Sequence, residues 1–152
     1  MPATEQELLS GSALVSFRLN GQFLVVAEEL ARPVGLTAAW WQVLGAVLRE
    51  PLSVAGIGRE MGVSRQSVQR IADLLARRGL VEYRDNPSHR RAKLVAATDE
   101  GIEAVRAIDP AHAAFAGKLS EELGRDELEE ILAGMEKLSA ALERLAEPAE
   151  GD

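Results

Sequence analysis

The chain has 152 residues, the length of one domain, and no cysteine, so a disulfide framework, a cysteine-ligated zinc and a thiol redox sensor are excluded. Its net charge of −7 argues by itself against a nucleic-acid partner, but residues 59–93 hold nine basic against four acidic side chains, a net of +5, which leaves −12 for the remainder. The apolar run 23–27 is far too short to span a bilayer and residues 1–9 are polar and acidic, unlike a signal peptide, so the expectation is a cytoplasmic protein with no membrane contact.

In chain order, residues 5–32 read as one long helix with Leu8, Leu9, Leu14, Phe17 and Leu24 among its apolar positions and Gly21 as a weak point. Arg32-Pro33-Val34-Gly35 breaks it. Thr37 can cap a second helix carrying Trp40, Trp41, Val43, Leu44, Val47 and Leu48, which Pro51 ends. Ser53 caps a short helix to about Met61, Gly62-Val63 turns, and Ser64 caps the next helix, which runs to Arg78 and stops at Gly79. The period then changes. Residues 80–83 and 93–96 read as two short strands joined by the basic, turn-rich loop 84–91. Thr98 caps a further helix that Pro110 kinks or breaks and that resumes to Leu123. After Gly124 a last helix places Leu128, Ile131, Leu132, Met135, Leu138, Leu142 and Leu145 on one stripe. The predicted fold class is mainly α: a winged helix-turn-helix lobe with a two-stranded β wing over residues 36–98, flanked by an N-terminal helix (1–35) and C-terminal helices (99–152) in one compact chain.

The segment 57–68 fits a helix-turn-helix. Gly62 tolerates the positive φ of the turn, Gly58 is small enough for two helices to cross closely, and Val63 and Val68 are expected to fill the angle between them. At about 100° per residue, Val68, Ile71, Ala72 and Leu75 share one side of the following helix, and Gln66, Gln69, Arg70, Asp73 and Arg77 the other. Near its start the outward face offers Arg65, Gln66, Gln69 and Arg70. Glutamine pairs bidentately with adenine and arginine with guanine in the major groove, and recognition helices read bases with their N-terminal residues. A polar solvent face would carry the same pattern, but two glutamines and two arginines at the reading end favour DNA. On the hairpin, Arg90 and Arg91 suit a narrow minor groove, and Arg84 and Lys93 suit phosphates.

With these motifs the sequence resembles the multiple-antibiotic-resistance regulator (MarR) family. The residues that carry the likeness are the run LTAAWWQVL at 36–44, the helix-turn-helix, GLV at 79–81, NPSHRRAKLV at 86–95, and Thr98 with Gly101. The resemblance covers essentially the whole chain. It implies a homodimer in which the first and last two helices pack against the partner, while paired recognition helices and wings straddle a near-palindromic site on duplex DNA. It places recognition-helix contacts at Ser64, Arg65, Gln66, Ser67, Gln69 and Arg70, and the wing arginine at Arg91. His89 stands where the family commonly has an aspartate that buttresses this arginine; either Asp85 takes that role or the wing is looser.

The resemblance also places an inducer site between the dimerisation helices and the DNA-binding lobe. Trp40 and Trp41 point about 100° apart on a helix, so one is expected in the core and the other at that pocket. Phe17, Arg18, His112 and Phe115 are further candidates for contact with a small aromatic or amphipathic effector. The two histidines are widely separated, so no metal is expected, and no phosphate loop or catalytic constellation points to an enzyme or a cofactor. The expected function is a sequence-specific DNA-binding repressor released by a ligand; the rival is a winged-helix module for protein–protein contact without DNA affinity.

Overall fold

The computed structural model describes residues 1–146; the last six residues of the expected C-terminal segment lie outside the described residues. Its internal contacts divide the chain after Asp109 into two units.

The first unit begins with α1 (Glu5–Ala31), a 3-10 turn at Arg32–Val34 and α2 (Ala38–Ala46). Thr4 and Glu7 form a reciprocal capping box: the Glu7 amide donates to Thr4 Oγ1 (3.2 Å) and the Thr4 amide to Glu7 Oε2 (2.8 Å). Residues 1–12 are all exposed, and Ala31 is the one buried residue of α1. At the other end Glu28 accepts from the Ala38 amide (2.8 Å), so α1 supplies a cap to α2 across the intervening turn. α2 stops short of Val47 and Leu48. Val47 N donates to Leu44 O and Leu48 N to Gly45 O, which tightens the last turn, turns Val47 inward and leaves Leu48 exposed. Pro51 disfavours helix in the residue before it, which explains why the chain does not resume one.

Next come β1 (Leu52–Ser53), α3 (Val54–Met61), α4 (Arg65–Arg77), β2 (Val81–Arg84), β3 (Leu94–Ala97) and α5 (Asp99–Arg106). The strands form an antiparallel sheet in the order β1-β3-β2, so the expected hairpin gains a third, two-residue strand. Both hairpin strands start one residue later than the alternation suggests. Leu80 is spent on the α4 terminus instead: Gly79 at φ 74° donates to Ala76 O, and Leu80 N to Leu75 O, a closed Schellman end. Val81 then pairs with Ala97 and Tyr83 with Val95. Leu44, Ile57, Leu75, Ile108, Val43, Val68 and Val95 are the largest fully buried side chains, and they join α2, α3, α4 and the sheet in one core.

The wing is fixed at its base by four residues. Thr98 Oγ1 donates to Gly79 O (2.7 Å) and accepts from Gly101 N (3.1 Å), while Thr98 N donates to Leu80 O (3.1 Å). A Cβ on Gly101 would lie 2.1 Å from Leu80 O, so the α5 N-terminus sits against that carbonyl only because residue 101 has no side chain.

In the second unit, α6 (Asp109–Leu123) and α7 (Arg125–Ala146) are separated by Gly124 at φ 87°. The break expected at Pro110 falls just before it, with α5 capped by Ala107. Pro110 occupies the first turn of α6, where its missing N–H has no intrahelical partner to lose. Ile131, Leu132, Met135, Leu138, Leu142 and Leu145 of α7 are exposed, with Leu142 at 50%.

Gly101→Ala must displace the Leu80 carbonyl and should destabilise by about 3 kcal/mol or more. Gly21→Ala, in a helix interior with no atom within 4 Å of the added carbon, should stabilise by about 0.5–1 kcal/mol. Thermal unfolding of the two variants checks both signs.

Candidate nucleic-acid interface

The helix-turn-helix is set by two glycines. A Cβ on Gly58 would come 2.8 Å from Val63 O, and Gly62 adopts φ 67°. Val63 N closes the turn on Gly58 O (3.0 Å). Val68 is fully buried between the helices, but Val63 is 42% exposed, contrary to the expectation that both valines fill the angle. The turn passes so close to Gly58 that the Val63 backbone, not its side chain, occupies that space.

Ser64 caps α4 by accepting from Ser67 N (3.1 Å), and its hydroxyl donates to Ser67 Oγ (3.0 Å). Both serines are thereby engaged in forming the helix start. Arg65, Gln66, Gln69 and Arg70 are exposed, while Val68, Ala72 and Leu75 face inward, as the helical spacing predicts. α3, α4 and the wing enclose an open groove of about 1130 Å³. Arg65, Gln66, Gln69, Arg91 and Lys93 line it, as do Arg59, Asn86 and His89. Arg70, Arg84 and Arg90 do not. Arg84 is tied to Glu82 on its own strand (2.7 Å), so its charge is offset locally.

The wing tip is built from turns. Asn86 Oδ1 accepts from Ser88 N (3.0 Å), His89 N donates to Asn86 O and Ala92 N to His89 O. Among the described residues Asp85 makes no ion pair with Arg91, so it does not replace the aspartate that His89 displaces.

Sequence reasoning missed one cluster. Gln69 Nε2 donates to Asp73 Oδ1 (3.0 Å) and to the Tyr83 hydroxyl oxygen (3.0 Å), and the Tyr83 hydroxyl donates to Asp73 Oδ1. The Gln69–Asp73 spacing of four residues is a helix-surface pairing signal; nothing local points to Tyr83, which arrives from β2. The bonds from Tyr83 and then Gln69 hold the Asp73 carboxyl below its ordinary range. Burial, followed by the bond to Asp73, pushes the Tyr83 hydroxyl up to about 12. Gln69 is therefore not the free bidentate amide expected from the helix face.

The expected effector residues lie elsewhere. Trp40 and Trp41 are both half-buried and packed against the core, and the Arg78 guanidinium sits over the Trp40 ring, 5.3 Å from its centre. Phe17 is 72% exposed on α1, beside exposed Arg18. His112 and Phe115 are exposed on α6 of the second unit. None of these six lines the groove. Among the described residues no group of three or more potential ligands could hold a metal, and no helix is long and apolar enough to cross a membrane.

A recognition helix held at a fixed angle beside a β hairpin defines a winged helix-turn-helix protein. Residues 34–92 match the family model described as MarR family. Uncharacterized proteins of Mycobacterium tuberculosis and Mycobacterium bovis are each 40% identical over 92 residues, covering 60% of this chain and 64% of theirs. The match thus spans less than two thirds of the length of those relatives. Among solved structures, CouR from Rhodococcus jostii RHA1 bound to p-coumaroyl-CoA has a TM-score of 0.70 at 25% identity, covering 97% of this chain and all of that one. A mutant of MarR from E. coli complexed with operator DNA has a TM-score of 0.74 at 20% identity, covering 90% and 99%. The match to the MarR family model thus covers the helix-turn-helix with the first strand and tip of the wing, and the chain shares the winged helix-turn-helix fold of these structures.

Tyr83 is the one tyrosine in the chain, so an ultraviolet titration reads it alone. The phenolate should form near pH 12, and Asp73→Asn should lower that value only part of the way, because burial is the larger cause. Because the folded value lies above the unfolded one, the stability this hydroxyl contributes is whole below about pH 10 and disappears as pH rises through 12. Asp73 has the opposite sign: its contribution is present above the ordinary carboxylate range and is lost as pH falls.

Proposed function

We propose that the chain is a sequence-specific DNA-binding regulator that acts as a homodimer on a near-palindromic duplex. The observation that carries this reading is the groove itself, where Arg65, Gln66 and Gln69 of α4 converge with Arg91 and Lys93 of the wing. Arginine and lysine there would hold phosphates, and the outward end of α4 would enter the major groove. Gln66 makes no hydrogen bond among the described residues, so its amide keeps both a donor and an acceptor for a base edge. Arg91, on the exposed wing, suits the adjacent minor groove. The E. coli relative held on operator DNA supports the same use of the fold.

Surfaces that each unit leaves uncovered support the dimer. Leu8, Leu9, Leu14 and Phe17 of α1 are more than half exposed, and so are Leu132 and Leu145 of α7. Apolar patches of this extent are covered by a partner; a second copy also supplies the second recognition helix for a palindrome. The helices within residues 1–35 and 99–146 take the role of dimerisation elements in this reading. The reading extends to a repressor released by a small ligand; what supports it is that CouR, a structure of the same fold, is held with p-coumaroyl-CoA. Phe17, Arg18, Trp40, Trp41, His112 and Phe115 remain the proposed effector residues.

Light scattering should return twice the 16.4 kDa of one chain, and Leu138→Asp or Leu142→Asp should dissociate or unfold the protein. A wild-type mass of one chain would remove the dimer. On duplex DNA from upstream of its own reading frame, affinity should fall by about 10³-fold or more between about 50 and 200 mM salt. Gln66→Ala should cost roughly 1–3 kcal/mol on the preferred site. Arg91→Ala should weaken A·T-rich flanks most, and His89→Asp, restoring a wing buttress, should tighten binding. A flat salt profile with all variants binding like wild type would favour a protein–protein module instead.

A further inference from the structure

The two glutamines of α4 are not presented alike. Gln66 is exposed and unpaired among the described residues, whereas Gln69 is held in a closed ring with Asp73 and Tyr83. Proton accounting fixes the orientation of the Gln69 amide. Its nitrogen gives one hydrogen to Asp73 Oδ1 and one to the Tyr83 hydroxyl oxygen, each at 3.0 Å. Tyr83 has one hydroxyl hydrogen, and gives it to the same Asp73 oxygen. The reversed amide would set Oε1 against a carboxylate, acceptor to acceptor. Both amide hydrogens are thus consumed inside the protein. Gln69 Oε1 accepts no hydrogen bond among the described residues, and the side chain lines the groove between α4 and the wing.

A side chain that offers only an acceptor discriminates bases by a simple rule. In the major groove cytosine presents its N4 amine and adenine its N6 amine, both donors; guanine presents N7 and O6, and thymine O4, all acceptors. We propose that Tyr83 and Asp73 are positioning residues for specificity: they lock the Gln69 amide so that it takes the exocyclic amine of cytosine or adenine and rejects guanine and thymine at one position of each half-site. The proposal rests on the DNA-binding reading above. It makes the wing strand β2, through Tyr83, part of the base-reading apparatus of the neighbouring helix. Asp73 also lines the groove, where its negative charge would repel phosphate. Its presence on that face is accounted for by the amide it orients.

The test begins with a duplex selected by the wild-type protein from a pool randomised over about two helical turns, followed by affinities for every single base-pair change in it. Wild type should show one position per half-site that demands cytosine or adenine, and Gln69→Ala should lose that preference, a change of roughly three- to ten-fold for one hydrogen bond. Tyr83→Phe and Asp73→Ala, which removes the acceptor of both bonds, should lose most of the preference at the same position and keep it at the others. Asp73→Ala should also bind all duplexes more tightly, since it removes a negative charge. Thermal unfolding and the preference at the Gln66 position serve as checks that the variants are folded. The proposal is overturned if the position lost in Gln69→Ala carries guanine or thymine, or if Tyr83→Phe lowers affinity uniformly, as a purely structural role would. It is also overturned if both variants keep the full preference. If wild type enriches no duplex, the DNA-binding reading itself fails, an outcome distinct from a duplex that is bound with the wrong base at that position.

Discussion

The contact between Thr98, Gly101 and the turn after α4 constrains the rest of the winged helix-turn-helix lobe. Within a few residues it ends α4, opens β2, closes β3 and starts α5. Gly79 O takes the Thr98 hydroxyl, Leu80 O takes the Thr98 amide, and Gly101 leaves room for that carbonyl. A hairpin of two four-residue strands is only marginally stable alone. Anchored at this junction and paired to β1 on its other edge, it becomes a fixed arm of the core. The Tyr83–Asp73–Gln69 ring then ties the hairpin to the exposed face of α4, farther along both elements. Helix and wing therefore form one preformed surface, which lowers the ordering cost of any ligand they take together.

The electrostatics of that surface follow from what is left unpaired. Arg84 and Glu82 form an exposed pair of the kind that adds little stability. Arg65, Arg91 and Lys93 in the groove make no ion pair among the described residues. Asp73, the acid on the groove wall, is engaged by Tyr83 and Gln69. An acidic chain thus keeps a positive surface where α4 meets the wing. The remaining charge repels a polyanion elsewhere on the molecule, which favours one orientation of approach.

The sequence made most of this architecture legible, through local chemistry. Thr37, Ser53, Ser64 and Thr98 each cap a helix by accepting from a backbone N–H three residues on, which is why those starts were readable. Gly62, Gly79 and Gly124 all adopt positive φ at helix ends. The less legible features depend on distant partners. β1 has two residues, too few to show a period. The strands begin one residue late because Leu80 closes the α4 terminus. Val63 reads as core but is exposed because its backbone, not its side chain, meets Gly58. Tyr83 joins Asp73 across a separation of ten residues, and Glu28 caps α2 across a similar one; neither pairing leaves a local trace. The six effector candidates come from the resemblance, and no local motif marks them; Trp40 and Trp41 are half-buried against the core.

In the proposed function the start of α4 and the wing bind duplex DNA as one surface. Nuclear magnetic resonance of the isotopically labelled protein, titrated with a duplex it selects, tests it most directly. Backbone amide signals of residues 64–70 and 89–93 should shift together at the same DNA ratio, while those of α7 stay near their free positions. Shifts confined to α1 or α7, or a helix response without a wing response, would contradict it.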